Sequence, residues 1–410
     1  MSRYRYTIET LAPVHIGTGE VLSPLEYYPG EEFIVPDLDR LFAAYPDAAT
    51  AFSRQLAARS AAELARTGLG ELLAADLLGD RRVWRYAAPA FYNEELNFDA
   101  LKKLREQAGQ GQAEVRLATK TPDSRPYLPG SSIKGALKTA WAYEQCRRSP
   151  GAFEVIVKLL EDRDRAPQAE AALKSQVFQA PEQRDVAYDV FRVVSIGDSA
   201  PLSPDALILV AERVLSAAVR PGVSQADAAF KNYWVFCEAI DEKNTMSGEV
   251  RFDDRLLNDP NARRVMRWSE AQRGLTMESL RAAVNGFAAD LCAWERRYFE
   301  SIRTGLPNCD VEGALAFYED LQKEVGAAPA DTMYFSLGHG SGWHKLTIGL
   351  LLEKQTSREQ FAQFRRNVRL ADRHADFEYP KSRKLIMNGE TSAYGPFGWV
   401  KMAISPQETA

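Results

Sequence analysis

Polar and apolar side chains alternate from the start: Arg3-Tyr4-Arg5-Tyr6-Thr7-Ile8 puts one class on each face of a strand. Leu25–Tyr28 and Phe33–Val35 flank Pro29-Gly30-Glu31-Glu32, which predicts a hairpin, and Asp37 is placed to cap a helix beginning at Leu38. The alanine- and leucine-rich stretch from Ala48 to Leu78 predicts one or two helices broken at Gly68 and Gly70. Strands are expected at Arg82–Tyr86 and Ala113–Ala118, and a helix opening at Gly130-Ser131-Ser132, where Ile133, Leu137, Ala140 and Trp141 recur at helical spacing. Ala152–Phe178 reads as helical. Val190–Ile196 and Ala206–Val210 read as strands, and Trp234–Ile240 with Gly248–Phe252 as a hairpin around the polar turn Asp241–Ser247. Helices follow over Met277–Ser301 and Val311–Val325. Next come a strand at Met333–Leu337, a helix at Lys345–Glu353, and strands at Leu385–Met387 and Trp399–Ile404.

Strands in hairpins mixed with helices, without regular strand–helix–strand alternation, predict an α+β fold. Two groups of strands, each with a glycine-rich strand-to-helix turn, predict two modules with helical insertions, at residues 1–180 and 181–410. No tandem repeat is visible. Hydrophobic residues at 45% and charged ones at 26% over 410 residues supply a core and exclude a disordered chain. No apolar run approaches the roughly 20 residues of a bilayer span, and the start lacks a signal-peptide core. A soluble, cytoplasmic protein without membrane contact is expected. The four scattered cysteines form no C-x-x-C pair, so neither zinc nor any other cofactor is expected. A net charge of −5 requires that any nucleic acid be held locally.

Two glycine loops carry candidate chemistry. In Gly130-Ser131-Ser132-Ile133-Lys134-Gly135 the lysine stands one place too early for a P-loop, which disfavours NTP hydrolysis. The helix start still offers N–H groups to a phosphate, reinforced by Lys134 and Lys138 on one face. The alternative is an ordinary helix start with two solvated lysines. Gly338-His339-Gly340-Ser341-Gly342-Trp343 has tryptophan where a dinucleotide fingerprint needs glycine. With His344 and Lys345 it combines close backbone approach, a stacking face and donors, a mixture suited to RNA. Here the alternative is a tight turn with a core tryptophan. Catalytic patterns are thin: His15, His339, His344 and His374 form no H-E-x-x-H, no G-x-S-x-G exists, and Asp253-Asp254 reads as a solvated pair. His15 has the chemistry of a general base for RNA cleavage, but a phosphate or backbone contact suits its loop better.

Three segments in order, Pro13-Val14-His15-Ile16-Gly17-Thr18-Gly19, Tyr127-Leu128-Pro129-Gly130-Ser131-Ser132-Ile133-Lys134-Gly135-Ala136 and Gly338–Trp343, resemble the RAMP superfamily of type III CRISPR systems. The ending Gly395-Pro396-Phe397-Gly398-Trp399-Val400 resembles the subgroup that caps the crRNA 3′ side of the type III-A Csm effector complex. The resemblance implies two ferredoxin-like, RRM-related modules and no nuclease activity. It implies crRNA and the other Csm subunits as partners, chiefly the backbone RAMP subunit. Target RNA would be met indirectly, and host nucleases recruited for 3′ trimming. It also implies RNA contacts at His15, Gly17, Thr18, Gly19, Gly130, Ser131, Ser132, Lys134, Lys138 and across Gly338–Lys345. Slicing relatives carry an aspartate just ahead of a proline after the first glycine motif. Here Leu22 and Ser23 precede Pro24, and Glu20 is the near carboxylate.

Local charge runs at 116–148 and 365–384 are basic despite the acidic total, though such runs are usually solvated faces. Two other functions remain open: a RAMP-type endoribonuclease that processes precursor crRNA through His15, His339 or His344, and a protein-interaction scaffold without RNA contact.

Overall fold

The computed structural model describes residues 2–108, 113–180, 185–218, 225–370 and 378–407. Two sheets organise them. The first is wholly antiparallel, in the order Thr332–Ser336, Trp399–Pro406, Ser2–Thr10, Thr245–Phe252, Val194–Ile196. The alternation of the first strand buries Tyr6, Ile8 and Thr10 against helices Gly130–Arg148 and Met277–Glu300, and turns Arg3, Arg5 and Thr7 outward. With those helices, four strands of this sheet run strand–helix–strand–strand–helix–strand, the element order of a ferredoxin-like module.

The second sheet runs Ala393–Gly395, Ser382–Met387, Leu207–Ala217, Val235–Ile240, Val115–Ala118, Gly17–Leu22, with Ala228–Phe230 alongside Leu207–Ala217. Its pairing of Val235–Ile240 with Val115–Ala118 is parallel. Both sheets draw strands from either side of residue 180, so neither is confined to 1–180 or 181–410.

The expected hairpin around Asp241–Ser247 does not form. Val235–Ile240 pairs within the second sheet and Thr245–Phe252 within the first, so this turn carries the chain between sheets. Thr10 fixes the crossing: its Oγ1 donates to the Asp241 carbonyl at 2.6 Å and accepts from Asn244 N at 3.0 Å, and its carbonyl accepts from Lys243 N at 2.7 Å. Period-2 patterning reveals a strand but not its partner.

Elsewhere the helical stretches are more broken than their patterning predicts. Residues 46–78 make four helices and Ala152–Phe178 is interrupted between Pro150–Glu161 and Ala169–Val177. The helix after the late glycine loop splits into Gly342–Leu346 and Gly349–Gln355. The predicted hairpin at Tyr28–Pro29 and Phe33–Pro36 forms, joins Trp84–Ala88, and shelters a small separate core of Leu41, Leu69, Leu73, Leu78 and Val83.

One edge of the first sheet is closed by a side chain. Asn285 donates to the Thr332 carbonyl at 2.9 Å and accepts from Tyr334 N at 3.0 Å, pairing backbone groups that an edge strand otherwise exposes. Asn285→Leu orphans both, and should cost about 2 kcal/mol in chemical denaturation.

Candidate functional site

Three of the four quoted segments meet at one place. Pro13–Ile16 leaves the first strand; His339 N donates to the His15 carbonyl at 2.8 Å, and Gly398 N donates to the Pro13 carbonyl at 3.0 Å. Leu337 N donates to the Gly398 carbonyl at 2.8 Å, which closes the triangle. Gly338, at φ +65°, lies so close to the His15 carbonyl oxygen that a β-carbon would overlap it.

Beneath the loops lies a face of the second sheet. Glu212 (1% exposed) pairs with His339 Nε2, and the His339 ring meets those of His15 and Phe397 edge-on at 5.5 and 5.3 Å. His15 is 3% exposed, and its Nδ1–H donates to the Glu238 carbonyl at 2.6 Å. Burial pushes its pKa down to about 4, against the opposing pull of that carbonyl. The Glu238 side chain, fully buried, accepts from Tyr86 Oη, Lys120 Nζ and Ala118 N. A carboxylate inside each of two apolar strands is the signal that could have found this network, because a buried charge demands partners.

A cleft of about 340 Å³ opens beside the late loop, lined by Gly338–His344, Tyr379, Pro380, Ser382 and Lys384. Lys384 is exposed at its rim. Arg383 also lines the cleft and is held in place within the protein: Nε donates to Glu295 at 2.7 Å and the guanidinium lies over Tyr298 and Trp294, while Nη2 is buried without a partner among the described residues.

The structure corrects several candidate side chains. His344 (2% exposed) packs edge-on against Trp294 at 4.2 Å, with Nε2 3.0 Å from Glu353. Lys345 (6% exposed) points into the core, 3.4 Å from Tyr318 Oη and over the Trp399 ring. The short helix after Gly342 turns both inward, so that Lys345 lies outside the cleft and His344 reaches it only as a buried part of its wall. Burial lowers the Lys345 pKa to about 8, opposed by Glu295. Unfolded lysine therefore binds more protons between pH 8 and about 10.4, so stability should rise with pH across that window. Lys345→Met should abolish that rise in pH-resolved denaturation. Trp343 is half-buried, its ring over Gly349 and 5.2 Å from Tyr379, so it walls the cleft and also packs. Ser341 Oγ donates to the Gly338 carbonyl at 2.7 Å and is buried; Gly340 is half-buried and Gly342 exposed.

The fourth segment does not join the others. Gly130 N donates to Asp198 Oδ1 at 2.8 Å, so the helix start already carries its own anion. Ser131 is exposed and Ser132 half-buried in that first turn, and Lys138 pairs with Asp189. Lys134 is half-buried, its ammonium disfavoured first by desolvation. Gly17, Thr18 and Gly19 are exposed on the edge strand Gly17–Leu22 of the second sheet. Much of the basic run at 116–148 is also neutralised, since Lys120 pairs with Glu238 while Arg147 and Arg148 pair with the buried Glu144. His374 lies outside the described residues. Among those described, no three His, Cys, Asp or Glu side chains converge as a metal would require, and no helix is long and apolar enough to cross a membrane.

The RAMP superfamily model matches residues 7–343, most of the chain and all three glycine loops but for their last flank. The chain belongs to the RAMP superfamily. Among curated RAMP relatives, it is 25% identical over 218 residues to the CRISPR system Cms protein Csm5 of Streptococcus thermophilus, covering 50% of this chain and 54% of that protein. It is 22% identical over 298 residues to the Csm5 of Methanocaldococcus jannaschii, covering 68% and 62%. The matches thus span less than two thirds of either relative. Two solved structures share the fold. One is a chain of a cryo-EM Csm–crRNA–target RNA ternary complex of a type III-A CRISPR-Cas system, with TM-score 0.64 and 20% identity over 98% of this chain and 100% of that one. The other is the crystal structure of T. onnurineus Csm5, with TM-score 0.62 and 19% identity over 96% and 99%.

Proposed function

We propose that this RAMP protein is a crRNA-binding subunit of a type III-A CRISPR (Csm) effector complex, capping the backbone filament at the crRNA 3′ side without cutting RNA itself. In that role it assists guide maturation in antiviral defence. Its partners are crRNA, the backbone RAMP subunit and host nucleases for 3′ trimming, and it meets target RNA through the guide. The observation that carries the reading is the backbone junction of the first loop, the late glycine loop and Gly398 beside a cleft rimmed by Lys384. The likeness to Csm5 proteins and to a chain from a Csm–crRNA complex supports the partner class.

One observation favours a second reading, an endoribonuclease: His15 and His339 meet edge-on, and Glu212 orients His339. Against it, His15 is 3% exposed and its protonated form is disfavoured, which suits a structural histidine better than an acid–base pair. The test is guide retention by the assembled complex. Lys384→Gln should weaken guide binding and lower the slope of log K against log salt by about 0.7. Melting should be unchanged, because Lys384 is exposed. Unaltered retention and 3′ protection would remove the cleft as the RNA site. Chelator-resistant cleavage of repeat RNA that disappears in His339→Ala would establish the endoribonuclease instead.

A further inference from the structure

The outer face of the first sheet has no part in the cleft. Its strands end at the loop junction on the Thr10 side, while Arg3 lies at the other end of the same strand, roughly 20 Å away at about 3.3 Å per residue. Arg3 faces Arg251 directly across the strand pair, and Ser195 continues that row. The next row sets Arg5 between Ser405 and Glu249. Arg3, Arg5, Arg251, Ser195 and Ser405 are all exposed.

Like charges directly opposite on neighbouring strands are destabilising on their own. Arg251 has an exposed neighbour in Glu249 at 3.5 Å, whereas Arg3 and Arg5 stand beside no carboxylate within ion-pair distance among the described residues. The face thus presents guanidinium groups in two rows about 7 Å apart, flanked by hydroxyl donors. Around these arginines it carries no large apolar side chain, because Tyr4, Tyr6 and Ile8 turn toward the helices; Tyr334, in the row of Glu9 and Lys401 nearer the other end, is buried. A protein interface draws its energy from a desolvated apolar and aromatic centre, and that centre is missing. Base stacking also has no platform here.

We propose that this open sheet face binds the phosphate backbone of a single-stranded nucleic acid without reading its bases, as a site separate from the cleft. Arginine forks recognise phosphate oxygens in pairs, and the hydroxyls add donors. The overall negative charge limits such binding to locally basic surface, of which this patch is one stretch.

The experiment uses the full chain and a 20-nucleotide oligouridylate, with affinity measured across salt concentrations. Arg3→Gln/Arg5→Gln/Arg251→Gln should lower the slope of log K against log salt by about 2, since three phosphate contacts at about 0.7 each are lost. The Lys-substituted triple variant should keep the slope, and melting of both should match wild type. The same drop should appear when the Gln triple is made in a Lys384→Gln background, which separates this face from the cleft. An unchanged slope in the Gln triple, no binding by wild type, or equal arginine-dependent binding of poly-glutamate would each overturn the proposal. The last result would assign the face to an acidic protein. A slope that falls in the triple while Lys384→Gln leaves guide retention intact would refute the cleft and keep this site.

Discussion

Gly338→Ala is expected to cost roughly 2–5 kcal/mol and to unpick the loop junction. Two penalties add: a left-handed backbone with a β-carbon, about 1–2 kcal/mol, and overlap with the His15 carbonyl oxygen, whose relief displaces packed backbone at about 1–3 kcal/mol. Gly342→Ala is the control, with nearly the same φ of +66° but nothing within 4 Å of the added carbon. It should cost only the first penalty, about 1–2 kcal/mol. Urea titrations of both variants decide the matter. Equal losses at the two positions would mean that the contact with His15 does not set the loop's position.

Acidification should remove stability through His15. Its folded pKa of about 4 lies below the unfolded value, so between pH ~6.5 and ~4 the unfolded chain binds the extra proton. The imidazole's contribution is intact above pH ~6.5, declines as pH falls, and is lost by about pH 4, a total of about 3 kcal/mol. His15→Gln offers an amide donor to the Glu238 carbonyl but has no proton to take up. It should be less stable than wild type at pH 7, and the gap should narrow by about 3 kcal/mol toward pH 4. His344, also lowered mainly by burial, and the carboxylates are common to both chains and cancel in the difference. A gap that stays constant with pH would show that His15 is not held neutral in the fold.

Local chemistry was the legible part of this sequence. The alternation at Arg3–Ile8, the Asp37 cap and the spacing of Ile133, Leu137 and Trp141 each act within one turn or one strand, and each element forms where its pattern places it. The loops were legible too, since glycine at 338, 340 and 342 meets a positive φ at all three positions. Partners across long distance were not legible. Nothing near Val235–Ile240 states that its neighbours are Leu207–Ala217 and Val115–Ala118 rather than the next strand along. Side-chain direction in the short helix after Gly342 was equally hidden. Lys345 looks like a surface cation until Tyr318 and Trp399, from distant segments, enclose it. The same limit concealed Asp198, which supplies from outside the helix the anion that the Gly130 turn was read as awaiting.

The strand Ser2–Thr10 lies between Thr245–Phe252 and Trp399–Pro406, so a segment made early in synthesis is flanked by two made much later. During synthesis its apolar face waits without a sheet, and closing such distant contacts is slow and exposed to misassociation. A nascent chain stalled before Trp399 would have an open edge on its innermost strand, whereas one extended past Pro406 can close it in a single step. Timing of translation, and any chaperone that shields Tyr6 and Ile8 in the interval, therefore bears on the yield of folded protein as directly as the final packing does.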